Sequence, residues 1–223
     1  MIKAALFDFC ETIADFQTAD AYVDFVQKHS VPSHRFIRSL YVFLNKARVM
    51  GVLRRIFPKR SLGKKMVLLQ MKGRSYSEMD ALASRYYEER IKPHFIKETI
   101  EELRARKKEG FAIYLVSGGY DIYLKYFASE FGVDGVLSTR IGFENGVCTG
   151  KMDGPDCMHG AKLDYIKKSL PEIDRASSFA YSDSATDLPL LSYVGNPVAV
   201  SAGHSQKWAE KLGCRQIVWN NKG

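Results

Sequence analysis

The chain has 223 residues, of which 46% are apolar and 12% aromatic, with a formal net charge of +8. This composition is sufficient for a sizeable core and excludes a globally disordered chain. No uncharged apolar run approaches the roughly 18 residues of a spanning helix, and the first residues do not resemble a signal peptide. The four cysteines lack metal-ligand or disulfide-scaffold spacing, so we expect a reduced, cytoplasmic protein.

The positive charge is concentrated in one segment. Between Phe25 and Ser77 the sequence contains thirteen Lys or Arg and no Asp or Glu, so the remaining residues together are net negative. Such a segment favours an anionic partner, which could be a phosphorylated substrate, a nucleic acid or an anionic membrane surface. A solvated helical face is the alternative interpretation.

The first predicted element is a buried strand, because residues 3–7 form a short apolar run that ends at Asp8. Residues 14–90 show helical periodicity and no convincing strand. They include a helix predicted over Ser77 to Ile91, which Ser77 would open with Asp80 three residues further on. We interpret this region as a helical insertion.

From Pro93 onwards, predicted strands and helices alternate. The predicted strands cover residues 111–116, 136–139, 178–181, 197–200 and 216–219, and the helices cover residues 98–108, 120–131, 160–170, 188–193 and 206–212. A hairpin is predicted over residues 141–149, turning at Asn145-Gly146, a dipeptide suited to positive φ. The alternation predicts an α/β fold with a doubly wound, mostly parallel sheet.

Acidic residues follow two of the predicted strands. Asp8 comes after the first strand, and Asp183 and Asp187 come after a later one. Because parallel strands present their carboxyl ends at one sheet edge, we expect these side chains to converge there. A pair of aspartates supplies the oxygen ligands that Mg²⁺ prefers. Capping of the following helix is the alternative role for Asp183 and Asp187.

Groups suited to an anion are predicted at the same edge. Ser117 follows a buried strand, and with the Gly118 and Gly119 amides at a helix start it could donate hydrogen bonds to an anion. Lys162 lies in the first turn of a predicted helix, where its charge opposes the helix dipole, which suggests another reason for a lysine there. A nucleophile, a metal site, donors and a cation together favour phosphoryl transfer.

Four motifs in this order resemble the haloacid dehalogenase superfamily of phosphohydrolases, specifically its phosphoserine-phosphatase-like subfamily with a helical cap after the first motif. The resemblance implies a Rossmann-like core at residues 1–14 and 91–223 and a helical cap at residues 15–90. The matching motifs are Asp8-Phe9-Cys10-Glu11-Thr12, Val116-Ser117-Gly118-Gly119, Lys162 after Gly160, and Tyr181-Ser182-Asp183-Ser184-Ala185-Thr186-Asp187-Leu188-Pro189-Leu190-Leu191.

The resemblance also implies roles for the catalytic residues. Asp8 would attack phosphorus and form an aspartyl-phosphate. The carboxylates of Asp8 and Asp183 and the backbone carbonyl of Cys10 would hold Mg²⁺. Lys162 would neutralise developing charge, and Asp187 would orient the lysine or a metal-bound water. A metal and a lysine are needed because a phosphomonoester dianion repels a carboxylate nucleophile.

Substrate binding is implied for a second group of residues. Ser117 and Gly118 would contact the phosphoryl oxygens, and Gly119 and Thr12 are predicted to belong to the same binding set. The proposed cofactor is Mg²⁺, and the partner is a small phosphorylated substrate. The basic segment 25–77 raises a further expectation of contact with a phospholipid or an anionic membrane surface, whereas no recognised nucleic-acid motif is present.

One position departs from the family pattern. Phosphatases of this family carry a second aspartate two residues after the nucleophile, which protonates the leaving oxygen and later activates water, and this chain has Cys10 there. A thiol is a poor base for water, and general acid–base catalysis contributes about 10²–10⁴-fold. We expect the Glu11 side chain to point elsewhere.

Three functions therefore remain open at the sequence level. The first is Mg²⁺-dependent phosphomonoester hydrolysis, with a basic cap that selects an acidic substrate. The second is phosphoryl transfer to an acceptor other than water, and the third is a catalytically weakened protein that binds phosphate-bearing ligands. A location in the cytoplasm, including the periphery of a membrane, is consistent with each.

Overall fold

The computed structural model describes residues 1–30 and 62–220 of the chain. Eight of the thirteen basic residues in the segment 25–77 lie outside these ranges. The prediction that the basic segment faces an anion therefore rests largely on residues that are not described.

A parallel sheet of six strands forms the centre of the molecule. Its strands are β1 (Ala4–Phe7), β2 (Ala112–Tyr120), β3 (Gly135–Thr139), β6 (Phe179–Ser182), β7 (Asn196–Ala202) and β8 (Arg215–Trp219). They are arranged in the order β3-β2-β1-β6-β7-β8, and every neighbouring pair is parallel. The central position of β1 explains why all four of its residues are fully buried.

Helices alternate with these strands and also lie in the region between β1 and β2. They are α1 (Thr18–His29), α2 (Leu62–Leu69), α3 (Tyr76–Tyr86), α4 (Lys97–Lys108), α5 (Asp121–Phe131), α6 (Gly160–Ser169), α7 (Leu188–Leu191) and α8 (Lys207–Leu212). Alternate β1 residues enter different cores, with Phe7 in one and Leu6 in the other. This alternation is the sign of a sheet buried on both faces. The predicted doubly wound α/β fold is confirmed.

A separate antiparallel hairpin consists of β4 (Ile141–Glu144) and β5 (Val147–Met152). It turns at the predicted dipeptide, where Asn145 and Gly146 have φ values of 49° and 76°. Main-chain hydrogen bonds join the hairpin to the loop between α2 and α3, since Gly73 N donates to Cys148 O at 2.8 Å and Cys148 N donates to Arg74 O at 2.8 Å.

Two predicted boundaries are wrong. Strand β2 does not stop before Ser117 but continues to Tyr120 through a bulge, so the two glycines lie in the strand and not at a helix start. Helix α3 is capped by Ser75 and not by Ser77, because the Ser75 hydroxyl accepts a hydrogen bond from the Glu78 amide. In the described ranges, every helix is too short or too polar to span a bilayer.

Candidate active site

The carboxylate of Asp8 lies at the carboxyl end of the central strand. The Asp8 amide donates to Tyr181 O at 2.9 Å, which continues the pairing of β1 with β6. Lys162 Nζ lies 2.9 Å from Asp8 Oδ1 and 2.6 Å from Asp187 Oδ2. Ser182 Oγ donates to the same Asp187 oxygen at 2.7 Å. The strand ends and the first turn of α6 thus bring two carboxylates and one ammonium together.

This cluster is buried, which determines its charge state. Burial alone would lower the pKa of Lys162, but the adjacent Asp8 and Asp187 charges raise it, so Lys162 is an ammonium ion at neutral pH. Burial holds the pKa of Asp8 above its ordinary value, although the Lys162 charge acts in the opposite sense. The charged lysine is therefore the group that keeps two carboxylates together in a dry site.

Asp183 lies beside the cluster and is held by Thr12. Thr12 Oγ1 donates to Asp183 Oδ1 at 3.2 Å and accepts from the Asp183 amide at 3.0 Å. Burial, followed by the negative charges of Asp8 and Glu11, raises the pKa of Asp183 to about 7. A carboxylate destabilised by other carboxylates is stabilised by a bound cation.

The donor set fits Mg²⁺ at this position. Asp8 and Asp183 border the same cavity and offer hard carboxylate oxygens, and burial together with the negative charge of Asp8 raises the pKa of Asp183. The predicted third ligand, the Cys10 backbone carbonyl, is also oxygen. Across the described ranges, no group of three or more His, Cys, Asp or Glu side chains is arranged to hold a metal ion, and the predicted set uses only two such side chains.

A cavity of about 640 Å³ opens over these residues. Seven predicted site residues line it, namely Asp8, Cys10, Ser117, Gly118, Lys162, Asp183 and Asp187. The sequence-based expectation that these distant residues converge on one site matches this geometry. Their individual catalytic roles remain predictions.

Two predicted substrate-binding residues do not line the cavity. Thr12 is fully buried, and its hydroxyl is engaged by Asp183. The Gly119 amide donates to Ser117 Oγ at 3.0 Å instead of facing the cavity. The bulge in β2 explains this arrangement, because it folds the Gly119 amide back onto the preceding serine. Both residues therefore hydrogen-bond to residues that line the cavity, without lining it themselves.

Cys10 borders the cavity, and its thiol contacts a buried network. Cys10 Sγ lies 3.1 Å from Thr18 Oγ1, which in turn lies 2.7 Å from the Tyr123 hydroxyl. Tyr86 OH donates to the Thr18 carbonyl at 2.8 Å. Burial and the Asp8 charge raise the pKa of Cys10 to about 11. The thiol is therefore protonated at neutral pH and cannot serve as the base that activates water.

Three charged residues that were not predicted to belong to the site are among the other residues that border the cavity. Glu11, expected to point elsewhere, lines it with φ at 57° and accepts a hydrogen bond from Gln17. Lys64 from α2 and Asp156 also line it and form an ion pair. Nothing in the sequence distinguished Lys64 from the other residues of the basic segment, and Asp156 belongs to no recognised motif.

With this geometry, the family can be assigned. The sequence model of the haloacid dehalogenase-like hydrolase family matches residues 5–192 of the chain. The chain belongs to this family.

The curated relatives include several phosphoserine phosphatases. The chain is 29% identical over 142 residues to phosphoserine phosphatase SerB1 of Mycobacterium tuberculosis, covering 62% of this chain and 46% of that protein. It is 33% identical over 150 residues to the phosphoserine phosphatase of Albidiferax ferrireducens, covering 65% and 60%. The chain spans about half the length of the curated relatives it matches.

Solved structures share the fold. A protein of unknown function from Bordetella pertussis aligns with a TM-score of 0.79 at 21% identity, covering 97% of this chain and 98% of that one. A phospho-aspartyl intermediate analogue of phosphoserine phosphatase aligns with a TM-score of 0.63 at 20% identity, covering 97% and 93%. At such identities these likenesses concern the fold alone.

Proposed function

We propose that the chain is a Mg²⁺-dependent phosphatase of small phosphomonoesters that works through an aspartyl-phosphate. The observation that carries the proposal is the buried Lys162 ammonium between the Asp8 and Asp187 carboxylates, at the end of the central strand. A carboxylate nucleophile needs such a cation because it must approach a dianion.

In this proposal Asp8 is the nucleophile. An Asp8 carboxylate oxygen forms a bond to phosphorus while the bond from phosphorus to the ester oxygen breaks, and the leaving oxygen takes a proton from the Cys10 thiol or from solvent and departs as the alcohol. Ser117 and the Gly118 amide bind the phosphoryl oxygens, and Lys162 neutralises their charge. Asp187, which accepts from both Lys162 and Ser182, holds the ammonium in position. Water then attacks phosphorus, the bond from phosphorus to the Asp8 oxygen breaks, and inorganic phosphate leaves while the released proton passes to the Cys10 sulfur or to solvent, which regenerates Asp8.

The proposed metal site uses the carboxylates of Asp8 and Asp183 and the backbone carbonyl of Cys10. When bound, Mg²⁺ supplies the positive charge that offsets repulsion between the phosphate dianion and the nucleophile. Thr12 contributes by fixing the orientation of Asp183 through its hydroxyl.

Proton transfer is the weak part of the proposed reaction. Cys10 is a protonated thiol that can donate to a leaving oxygen but is a poor base for water. We therefore propose slow hydrolysis of ordinary esters, or substrates whose leaving group requires little protonation. Glu11 directly follows Cys10 in the chain and lines the cavity, so its carboxylate is the candidate to assist proton transfer.

The same feature supports phosphoryl transfer to an acceptor other than water as a second candidate function. An acceptor that brings its own nucleophile depends less on a water-activating base. Phosphoserine is the first substrate to test, because relatives of this chain are phosphoserine phosphatases. Selection of acidic substrates by the basic cap, and any contact of that cap with phospholipid, remain predictions.

The test is a panel of phosphomonoesters that includes phosphoserine, assayed with Mg²⁺ and with a chelator. We expect Mg²⁺-dependent phosphate release, and we expect Asp8→Asn to lower it by roughly 10³-fold or more because the nucleophile is lost. Asp24→Asn, an exposed residue on α1, is the matched control. Turnover that survives Asp8→Asn would contradict the proposal.

A second assay separates hydrolysis from transfer. Each ester is incubated with candidate alcohol acceptors, and released phosphate is compared with newly formed phosphoester. A large excess of new phosphoester over phosphate favours the transferase, whereas phosphate alone favours the phosphatase.

A further inference from the structure

The structure assigns a positioning role to Lys64. Its ammonium group joins helix α2 to the bulge of β2 at Ser117 and Gly118, which is proposed to bind the phosphoryl group and is called the phosphate-binding turn below. Phosphate binding therefore depends on the docking of that helix. The inference rests on the proposed function, because it concerns the same cavity.

Lys64 Nζ contacts the bulged part of strand β2 and the segment before α6, which are distant from it in the chain. It donates to Gly118 O at 2.7 Å and to Asp156 Oδ1 at 2.5 Å, with Thr139 Oγ1 at 3.4 Å. The side chains of Lys64 and Asp156 are both only 9% exposed. A charged hydrogen bond in such a dry position is stronger than a surface pair.

These contacts occupy the ammonium group. An ammonium has three hydrogens, and three acceptors lie within 3.4 Å of Lys64 Nζ. Although Lys64 borders the cavity, a substrate anion could bind it only by displacing one of these acceptors. Its role is therefore to position the protein groups around it.

The Gly118 contact orients the phosphate-binding turn. Strand β2 bulges at Ser117, and the Lys64 ammonium holds the carbonyl of the next residue. A Cβ added at Gly118 would lie 2.6 Å from Met158 Cγ and 3.4 Å from Lys64 Nζ. The Met158 and Lys64 side chains thus border the turn closely, and a larger residue at position 118 would require Met158 to shift.

The Asp156 contact extends the link towards the catalytic lysine. Thr139 Oγ1 donates to Asp156 Oδ1 at 2.8 Å and accepts from the Cys157 amide at 3.1 Å. This segment leads directly into α6, which carries Lys162. Lys64 consequently connects α2 to both elements that are proposed to bind the phosphoryl group.

A connection of this kind is reciprocal. If docking of α2 through Lys64 strengthens phosphate binding, phosphate must stabilise the docked helix by the same factor. Loss of Lys64 should therefore weaken phosphate binding and remove the protection of α2 by phosphate, although Lys64 itself does not touch phosphate.

The experiment measures binding of inorganic phosphate in Mg²⁺ buffer by calorimetry, which requires no turnover. We expect Lys64→Met to weaken binding about tenfold or more, because a buried charged contact is lost. Lys65→Met, an exposed neighbour on the same helix, should leave binding unchanged. Lys64→Arg should restore at least part of the affinity, since it retains the charge.

Hydrogen exchange of residues 62–69 supplies the readout that a merely structural role would not move. Phosphate should slow exchange there in the wild type and in Lys65→Met, but not in Lys64→Met. Equal phosphate affinity in the two Met variants, or absence of phosphate binding to the wild type, overturns the inference.

A folding defect would not obscure the result. If Lys64→Met does not fold, Asp156→Asn decides, because it removes the charge while an amide oxygen can still accept hydrogen bonds. It should weaken phosphate binding several-fold, and unchanged binding overturns the inference. Failure of the proposed function appears separately, as absence of Mg²⁺-dependent turnover in a wild type whose phosphate binding still depends on Lys64.

Discussion

Two regions on either side of the Asp8 carboxylate differ in chemistry. On one side Lys162, Asp187 and Ser182 form a buried, charged and mutually satisfied cluster. On the other side Cys10 presents a neutral thiol to Thr18, whose hydroxyl contacts Tyr123. The first region carries the charges that are proposed to stabilise a phosphoryl group, whereas the Cys10 thiol of the second region has a raised pKa and is protonated at neutral pH.

In the proposed mechanism, charge neutralisation and proton transfer therefore depend on different groups of residues. Lys162 requires its two carboxylates, because a buried unpaired ammonium would be costly. Position 10 has no such constraint, and a thiol there is compatible with the buried hydroxyls behind it. The family fold is retained, and in the proposed mechanism the acid–base group is the part that is missing.

The largest expected effect concerns the neutral region. Cys10→Asp introduces the missing acid–base group and should raise turnover of an ordinary phosphomonoester by about 10²–10⁴-fold. The measurement is kcat with Mg²⁺ at neutral pH. Cys10→Ser is the control, since it keeps a small polar side chain near Thr18 without adding an acid, and it should change kcat by only a few-fold. Similar kcat values for Cys10→Asp and Cys10→Ser would show that the lack of an acid–base group at position 10 does not limit turnover.

The next effect concerns the charged region. Lys162→Met leaves Asp8 and Asp187 buried without their cation, which should lower the free energy of unfolding by about 3–5 kcal/mol. The loss should grow as pH rises, because burial raises the pKa of Asp8 in the folded state, so that without the lysine this carboxyl ionises more readily in the unfolded chain. Urea denaturation in metal-free buffer measures both the size and the pH trend.

Lys168→Met is the control for that measurement. Lys168 lies on the same helix but is exposed, so its replacement should alter stability by less than about 0.5 kcal/mol. If Lys162→Met were equally harmless, the ammonium would not be the group that holds the two carboxylates together.

A smaller effect concerns Asp183, whose pKa in the folded protein is about 7 against 3.8 ordinarily. A raised carboxyl pKa means that the folded state holds the proton longer, so metal-free stability falls as pH rises from about 4 to about 7 and then levels. The contribution is at most about 4 kcal/mol, at about 1.4 kcal/mol for each pH unit of difference.

Asp183→Asn should remove this decline. Thermal melts without metal are expected to show the variant more stable than the wild type at pH 8 and similar to it at pH 4. Saturating Mg²⁺ should reverse the order at pH 8, because only the wild type gains stability from the ion. If the wild type gave identical melting curves at pH 8 with and without Mg²⁺, Asp183 would not belong to the proposed metal site.

Much of the fold could be predicted from local pattern. Strand and helix periodicity gave the parallel sheet, and Asn145-Gly146 indicated the hairpin turn that is observed. The convergence of Asp8, Ser117, Lys162 and Asp183 followed from their positions at strand ends and at a helix start. These inferences succeed because periodicity and strand direction are encoded in neighbouring residues.

Other features of the site depended on tertiary contacts. The continuation of β2 through Ser117-Gly118-Gly119, the Thr18 partner of Cys10 and the use of Thr12 to hold Asp183 all arise from packing that no local pattern specifies. Lys64 shows this most clearly. As a sequence letter it is one of thirteen basic residues, and only the folding of α2 against chain segments 54 and 92 residues away gives it Gly118 and Asp156 as partners.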